Sequence, residues 1–434
     1  YINVLRTGYS KSGFTTSDGE YVSIAPLGNL TSASPFGTGN TLNDKTIWNI
    51  MNKTADNAYL LQKGWQEMPD PLDPSKTILY KDTNPADYNL NNPAISQDYN
   101  INMSGGNDKG TYYAGLGYNR QEGLPIKTFY ERYSFVLNAS YKITDWLTSS
   151  SNFNYNRANW KNMPGSQTSE GNYFGRIMST PPVAGDGNQN YQPDKWWNFN
   201  QSDKFTMVQA FQIDILKNLS VKGTANWYYS ESLAESFTRD YENTPGQFVR
   251  TRSSSASFSR NFSQTYNVVL NYNQTFAKDH NVAVMLGMEY FDRYSRSFSA
   301  SGSGAPTDDF ADLSLTDNGE GKRSIDSGHS DYRILSYFGR LNYDYKGRYL
   351  LSAVFRQDGY SSLLGNNRWG FFPGVSAGWI FGQENFVKDA LPFLSFGKLR
   401  ASYGVNGNAT GIGAYDLQGS YNSQKYNGNV GFLI

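Results

Sequence analysis

From about residue 97 onward, apolar and polar positions alternate with a period of two, the pattern of strands with one apolar face. Between Glu131 and Ile143 one face carries Tyr133, Phe135, Leu137, Ala139, Tyr141 and Ile143. The other carries Arg132, Ser134, Asn138, Ser140 and Lys142, with Val136 the apolar exception. From Phe262 to Phe276 one face reads Phe262, Gln264, Tyr266, Val268, Leu270, Tyr272, Gln274 and Phe276. Leu335, Tyr337, Gly339, Leu341, Tyr343 and Tyr345 repeat the pattern, as do Tyr349, Leu351, Ala353 and Phe355 after a turn. A tilted strand needs roughly 9 to 11 residues to cross a bilayer, whereas soluble strands usually run about 5 to 6.

The links between these runs follow a rhythm. Ser104–Gly110, Thr144-Asp145-Trp146, Lys217-Asn218, Ala277–His280 and Lys346-Gly347-Arg348 are short, and several hold Gly, Asn or Asp, which tolerate tight-turn backbone angles. Long polar segments alternate with them, expected over 156–203, 230–257, 292–333 and 404–425. Short turns at one end and long loops at the other are the layout of a transmembrane β-barrel. The fold class expected is therefore all-β, an antiparallel transmembrane barrel with about twelve strands after residue 96. Residues 1–95 form a less regular segment, and 96–434 form the barrel portion. Within the first, 43–63 predicts a short helix, and Pro69, Pro71 and Pro74 predict an extended loop.

Composition agrees once strands replace helices as the spanning element. The mean hydropathy is -0.61, and no run of about 18 uncharged apolar residues exists to make a transmembrane helix. A barrel strand spends half its side chains on a wet lumen, so low hydropathy is compatible with spanning. Aromatic residues make 16% of the chain, with Tyr 33 ahead of Phe 26, which suits the bilayer interface. Aromatic content alone suits a soluble, lectin-like β-sandwich equally well. Basic and acidic residues balance at 38 each, so there is no basic excess for nucleic acid. Cys is absent, which excludes disulfides and thiolate metal sites. No leader opens the chain at Tyr1, so an exported protein is expected to have been processed or to continue upstream.

Catalytic chemistry finds little footing. The histidines are His280, in a polar turn read as solvated, and His329, in Asp326–Asp331, where local proximity does not make a triad. The acidic loop Asp308, Asp309, Asp312, Asp317, Asn318 and Glu320 offers oxygen ligands for Ca²⁺ but lacks the EF-hand spacing and reads as a solvated loop. We expect no enzyme, no cofactor and no metal. Trp160, Tyr173, Tyr191, Trp196 and Trp197 crowd one long segment and are the candidate ligand-binding residues. Aromatic faces stack on the C–H surfaces of sugars and peptide side chains; the competing reading is that they pack the loop or meet a partner. Trp369 and Trp379 are expected in aromatic girdles, and Arg356 and Asp358 are expected to pair in the lumen.

Several segments resemble one family. Ile101–Lys109 with Thr111–Tyr118, then Phe129–Ser134 and Thr144–Leu147, are similar to the early barrel hairpins of SusC/RagA-like proteins. Lys346–Ser362, Asn366–Trp379, Lys398–Gly404 and Asn406-Gly407-Asn408 continue the likeness in the family's order. The resemblance implies an outer-membrane importer of twenty-two strands with an N-terminal plug. It further implies a SusD-like surface lipoprotein as lid, the TonB complex acting through the plug, and an oligosaccharide or oligopeptide substrate. No plug or TonB box is recognisable here, so a partial chain is expected. The alternatives are an outer-membrane structural or assembly scaffold and a soluble carbohydrate-binding β protein.

Overall fold

The computed structural model describes residues 13–15, 21–23, 50–70, 73–80, 90–162, 196–244, 247–408, 411–417, 419, 422–426 and 429–433. Its first elements are short: β1 (Gly13–Thr15), β2 (Tyr21–Ser23), β3 (Ile50–Asn52), β4 (Gln66–Pro69) and β5 (Thr77–Tyr80). The last three form a small sheet in the order β3-β5-β4. Leu60, Trp65 and Leu79 pack together beside it.

Two expectations for this region change. In place of a helix over 43–63 stand β3 and a 3-10 turn at Ala58–Lys63, with 43–49 outside the described residues. Asn57 is the cause: its Oδ1 accepts from Thr54 N at 2.7 Å, and its Nδ2 donates to Asn52 O at 2.8 Å. A side chain that bonds the local backbone this way competes with the helical ladder. Gly64, at φ 83°, then ends the turn. Pro69 likewise closes a strand instead of lying in an extended loop, at the edge position where a residue without an N–H is tolerated.

The large sheet begins with β6 (Ser96–Asn107), β7 (Gly110–Glu122), β8 (Phe129–Thr144) and β9 (Leu147–Lys161). It continues through β10 (Trp196–Leu216) and β11 (Leu219–Thr238). A side hairpin follows, β12 (Tyr241–Thr244) with β13 (Gln247–Val249). The sheet resumes with β14 (Ser253–Phe276), β15 (His280–Gly302), β16 (Arg323–Tyr345), β17 (Tyr349–Tyr360), β18 (Trp369–Trp379) and β19 (Leu399–Gly404). A helix, α1 (Asn385–Ala390), lies between β18 and β19, and the hairpin β20 (Asn422–Tyr426) and β21 (Asn429–Leu433) comes last. Among the described residues, twelve strands pair antiparallel in one meander from β6 to β19. The two end strands each have one neighbour and are exposed along their length. The sheet is a section of barrel wall with two open edges.

Direct cross-strand partners share a face, so the register traces the wall rung by rung. One outward rung reads Leu116, Phe135, Tyr155, Phe205, Tyr229, Phe262, Tyr294. Another runs Val268, Met288, Tyr337, Gln357, Phe371. Large apolar side chains on this face stay uncovered; Val268 is 54% exposed and Ile101 74%. Exposed apolar bands this tall on a strand wall require lipid against them, which sets aside the soluble lectin reading.

The band has a marked upper edge. Just above it stand four cross-strand ion pairs: Arg120–Glu131 at 3.3 Å, Arg157–Asp203 at 3.6 Å, Arg260–Glu231 at 2.6 Å and Arg333–Asp292 at 3.1 Å. Tyr118 and Tyr155, ending the band below, donate their hydroxyls upward to Glu131 at 2.9 Å and Asp203 at 2.6 Å. Apolar ring below, polar tip above is the arrangement of an interfacial girdle. Trp369 and Trp379 bracket β18 on this same face, as expected. Eleven residues at a barrel tilt span about 25 Å, the height of an outer-membrane apolar band.

Strands extend into the segments expected as long loops. β9 and β10 claim the ends of 156–203, β11 and β14 those of 230–257, and β15 and β16 those of 292–333. β19 likewise reaches Gly404, while Asn422–Tyr426 of the fourth segment forms β20. Above the bilayer the outward face mixes charged, small and aromatic residues, so apolar-polar alternation fades while backbone pairing goes on. Strands of 20 to 24 residues in β10, β11, β14, β15 and β16 therefore rise well past the membrane.

Candidate functional site: the lumen wall

The inward face is polar and mostly neutral. Within the bilayer span it is lined by Asn138, Asn152, Asn154, Asn226, Asn271 and Asn273, among others, opposite the aliphatic outer face. Higher up, serine takes over. Ser236 pairs with Ser255 and Ser255 with Ser301; Ser257 pairs with Ser299; Ser202 pairs with Ser232, Ser232 with Ser259 and Ser259 with Ser297. The hydroxyls of Ser236 and Ser255 lie 2.7 Å apart, and Ser202 Oγ is buried without a hydrogen-bond partner among the described residues. A cavity of about 350 Å³ opens among Ser236, Ser253, Ser255, Ser301, Lys322 and Ser324. A hydroxyl both donates and accepts, so this wall can meet sugar hydroxyls or peptide amides alike. The sequence holds the signal as Ser253, Ser255, Ser257, Ser259 and Ser295, Ser297, Ser299, Ser301 at every second position. The positions between them mix aromatic, small and charged residues, so the period does not stand out as an apolar face.

Charged residues also stand on this face, among them Lys204, Lys222, Arg293 and Arg340, and one group of them forms a knot. Arg356 Nε donates to Asp358 Oδ1 at 2.7 Å, while Nη2 reaches Ser336 Oγ at 2.9 Å and Glu289 Oε1 at 3.3 Å. Glu289, Ser336 and Asp358 occupy one rung, and Arg356 reaches up from the next. Asp358 is 5% exposed. The expected lumenal pair is present and ties β15, β16 and β17. Near the turn-side end, a cavity of about 650 Å³ is bordered by Asn273, Asn281, Asn342, Asp344, Lys398 and Arg400.

The aromatic candidates do not converge. Trp160 stands on the inward face near the top of β9, between Tyr130 and Asn200. Trp197 pairs with the buried Phe237, an odd number of positions from Asn200 and therefore on the opposite face. Trp196 begins β10 in register with Thr238. Tyr173 and Tyr191 lie outside the described residues. Tyr130, missed in the sequence because it precedes a strand read for its outer face, joins Trp160 on the lumen side.

The histidines have other roles. His280 starts β15 with Nδ1 2.7 Å from Tyr343 Oη and its ring against Tyr345, so it is packed in place instead of solvated. His329 lies in β16, in register with Arg296. Ser327, His329 and Asp331 are alternate strand residues, about 6.6 Å apart along the chain and beyond hydrogen-bond relay. Asp308 of the acidic loop is neutralised by Arg252 at 2.9 Å, which also holds Asp240 at 2.7 Å. Among the described residues no group of acidic or histidine side chains is arranged to hold a metal.

A wall of this construction, with lipid outside, polar lining inside and strands rising past the bilayer, defines part of an outer-membrane β-barrel. Comparison with known proteins gives the kind. No family model matches the chain. A TonB-dependent receptor of Formosa agariphila, P26, is 26% identical over 356 residues, covering 79% of this chain and 35% of that protein. The TonB-dependent receptor SusC of Bacteroides thetaiotaomicron is 47% identical over 74 residues, 17% of this chain and 7% of SusC. The solved structure of the RagAB peptide transporter superposes with a TM-score of 0.66 at 22% identity, over 81% of this chain and 41% of that one. The chain is thus an outer-membrane β-barrel portion similar to SusC/RagA-like TonB-dependent receptors. It spans about a third of the length of the curated receptors it matches over most of its own, and those relatives are receptors, not enzymes.

Proposed function

We propose that the chain forms part of the barrel of an outer-membrane importer that takes up a bulky nutrient, an oligosaccharide or oligopeptide, in a TonB-dependent way. The observation that carries this reading is the serine-lined inner wall above the bilayer, a hydroxyl-rich hydrogen-bonding surface at the mouth of the lumen. A bulky polar solute exchanges its water bonds for such a wall without the desolvation cost that fixed charges would add. Trp160 and Tyr130 offer apolar faces at the same height. In this reading residues 96–434 are the barrel portion, residues 1–95 precede it, and a SusD-like lipoprotein covers the mouth. Likeness to receptors named for TonB dependence, and to a transporter named for peptides, supports it.

The test is uptake by cells whose full-length receptor carries Ser257→Leu with Ser299→Leu. Accumulation of labelled oligosaccharides or oligopeptides should fall severalfold, with unchanged receptor abundance in the outer membrane. Wild-type uptake that persists after the proton gradient is collapsed would reject TonB dependence. Unchanged uptake by the double variant would reject the wall as the path.

A further inference from the structure

We propose that the outward rung formed by Arg260, Arg296 and His329 binds the phosphate of a lipid headgroup in the outer leaflet. Arg260 and Arg296 are direct partners across β14 and β15, and His329 continues the rung on β16. Like charges directly opposite one another destabilise a sheet, so the arrangement calls for an anion. The protein supplies one on one side alone. Glu231 takes Arg260 from β11, through Nε at 2.9 Å and Nη2 at 2.6 Å. Arg296 is exposed and has no carboxylate partner among the described residues; its guanidinium lies 5.9 Å from the Tyr294 ring. The neighbouring outward acid on β16, Asp331, sits one rung lower, opposite Tyr294.

The setting favours an amphiphile over a soluble ion. Phe258 and Phe298 stack at 5.2 Å on the rung above, with Phe298 52% exposed, and Phe262 and Tyr294 form the rung below. Two guanidiniums framed by aromatic surface can grip a phosphate with several charge-assisted bonds while the rings meet the rest of the headgroup. Height agrees as well. Arg260 is two outward positions beyond Gln264, the first polar residue above the apolar band of β14, which places it in the headgroup layer. The inference depends on which face of the wall meets lipid and is independent of what the lumen transports.

The experiment uses the full-length receptor in nanodiscs, scored by native mass spectrometry for bound lipid A, with and without its phosphates. Phosphorylated lipid A should bind the wild type, and Arg296→Gln should weaken it about tenfold. Lys278→Gln, in a turn at the opposite end of the strands, should leave binding unchanged. Folding of each variant is checked by heat-modified gel mobility, and Arg296→Lys, which keeps the charge, should retain most of the binding. Equal binding of the dephosphorylated lipid would overturn the proposal, as would wild-type binding by folded Arg296→Gln. Full displacement by millimolar inorganic phosphate would also overturn it, by showing that the rung selects a free anion.

Discussion

The indole N–H of Trp379 donates to Oε1 of Glu384 at 3.2 Å, while Arg348 Nη1 holds the other carboxylate oxygen at 3.1 Å. One carboxylate thereby joins the lower girdle of β18 to the β16–β17 turn. That turn carries left-handed backbone at Lys346 (φ 54°) and Gly347 (φ 64°), as a tight hairpin demands.

Bonds from Tyr349 and Trp379, with the Arg348 charge beside it, hold the Glu384 carboxyl below the usual carboxylate range. A group depressed in the folded state stabilises above its unfolded value, about 4.3, and loses that contribution as pH falls through the folded value. Glu384→Gln should lower the thermal unfolding temperature at pH 7, and the gap to wild type should close toward pH 3. A gap that is constant with pH would show that the charge is not involved.

Arg356 neutralises two lumenal carboxylates at once. Arg356→Ala should cost about 2 kcal/mol, because the nearly buried Asp358 is left without its cation. Adding Asp358→Asn should restore part of the loss, read from urea unfolding of the reconstituted barrel. Additive losses would mean the two residues act separately.

Val268 and Asn267 are sequence neighbours on opposite faces of β14. Val268→Arg should destabilise the barrel by about 2 to 4 kcal/mol in bilayers, and Asn267→Arg by far less. Similar penalties would contradict the assignment of the lipid face.

Trp160→Ala, at the lumen side of the rim, should reduce nutrient uptake several-fold with outer-membrane insertion unchanged. Trp197→Ala should act on stability through its Phe237 partner and leave transport by the folded receptor near normal. Competition uptake assays in cells with equal receptor abundance separate the two.

The residues of the apolar band were legible from the sequence because lipid on one side and water on the other impose period two. Tyr133 through Ile143, and the two tryptophans of β18, announce the membrane by themselves. So do the short turns, whose backbone angles select Gly, Asn and Asp. The serine wall was not legible, since the positions alternating with its serines mix aromatic, small and charged residues and no steady solvent contrast marks them. Register decided it: only pairing places Ser257 against Ser299, or sets Arg260 against Arg296 with no acid between them. The tertiary structure likewise separated Trp160 from Trp197, because an odd spacing along a strand reverses the face. Local chemistry thus fixed which segments are strands in lipid, and the hydrogen-bonded ladder fixed which side chains meet, because contacts across strands join residues as far as 67 positions apart in the chain.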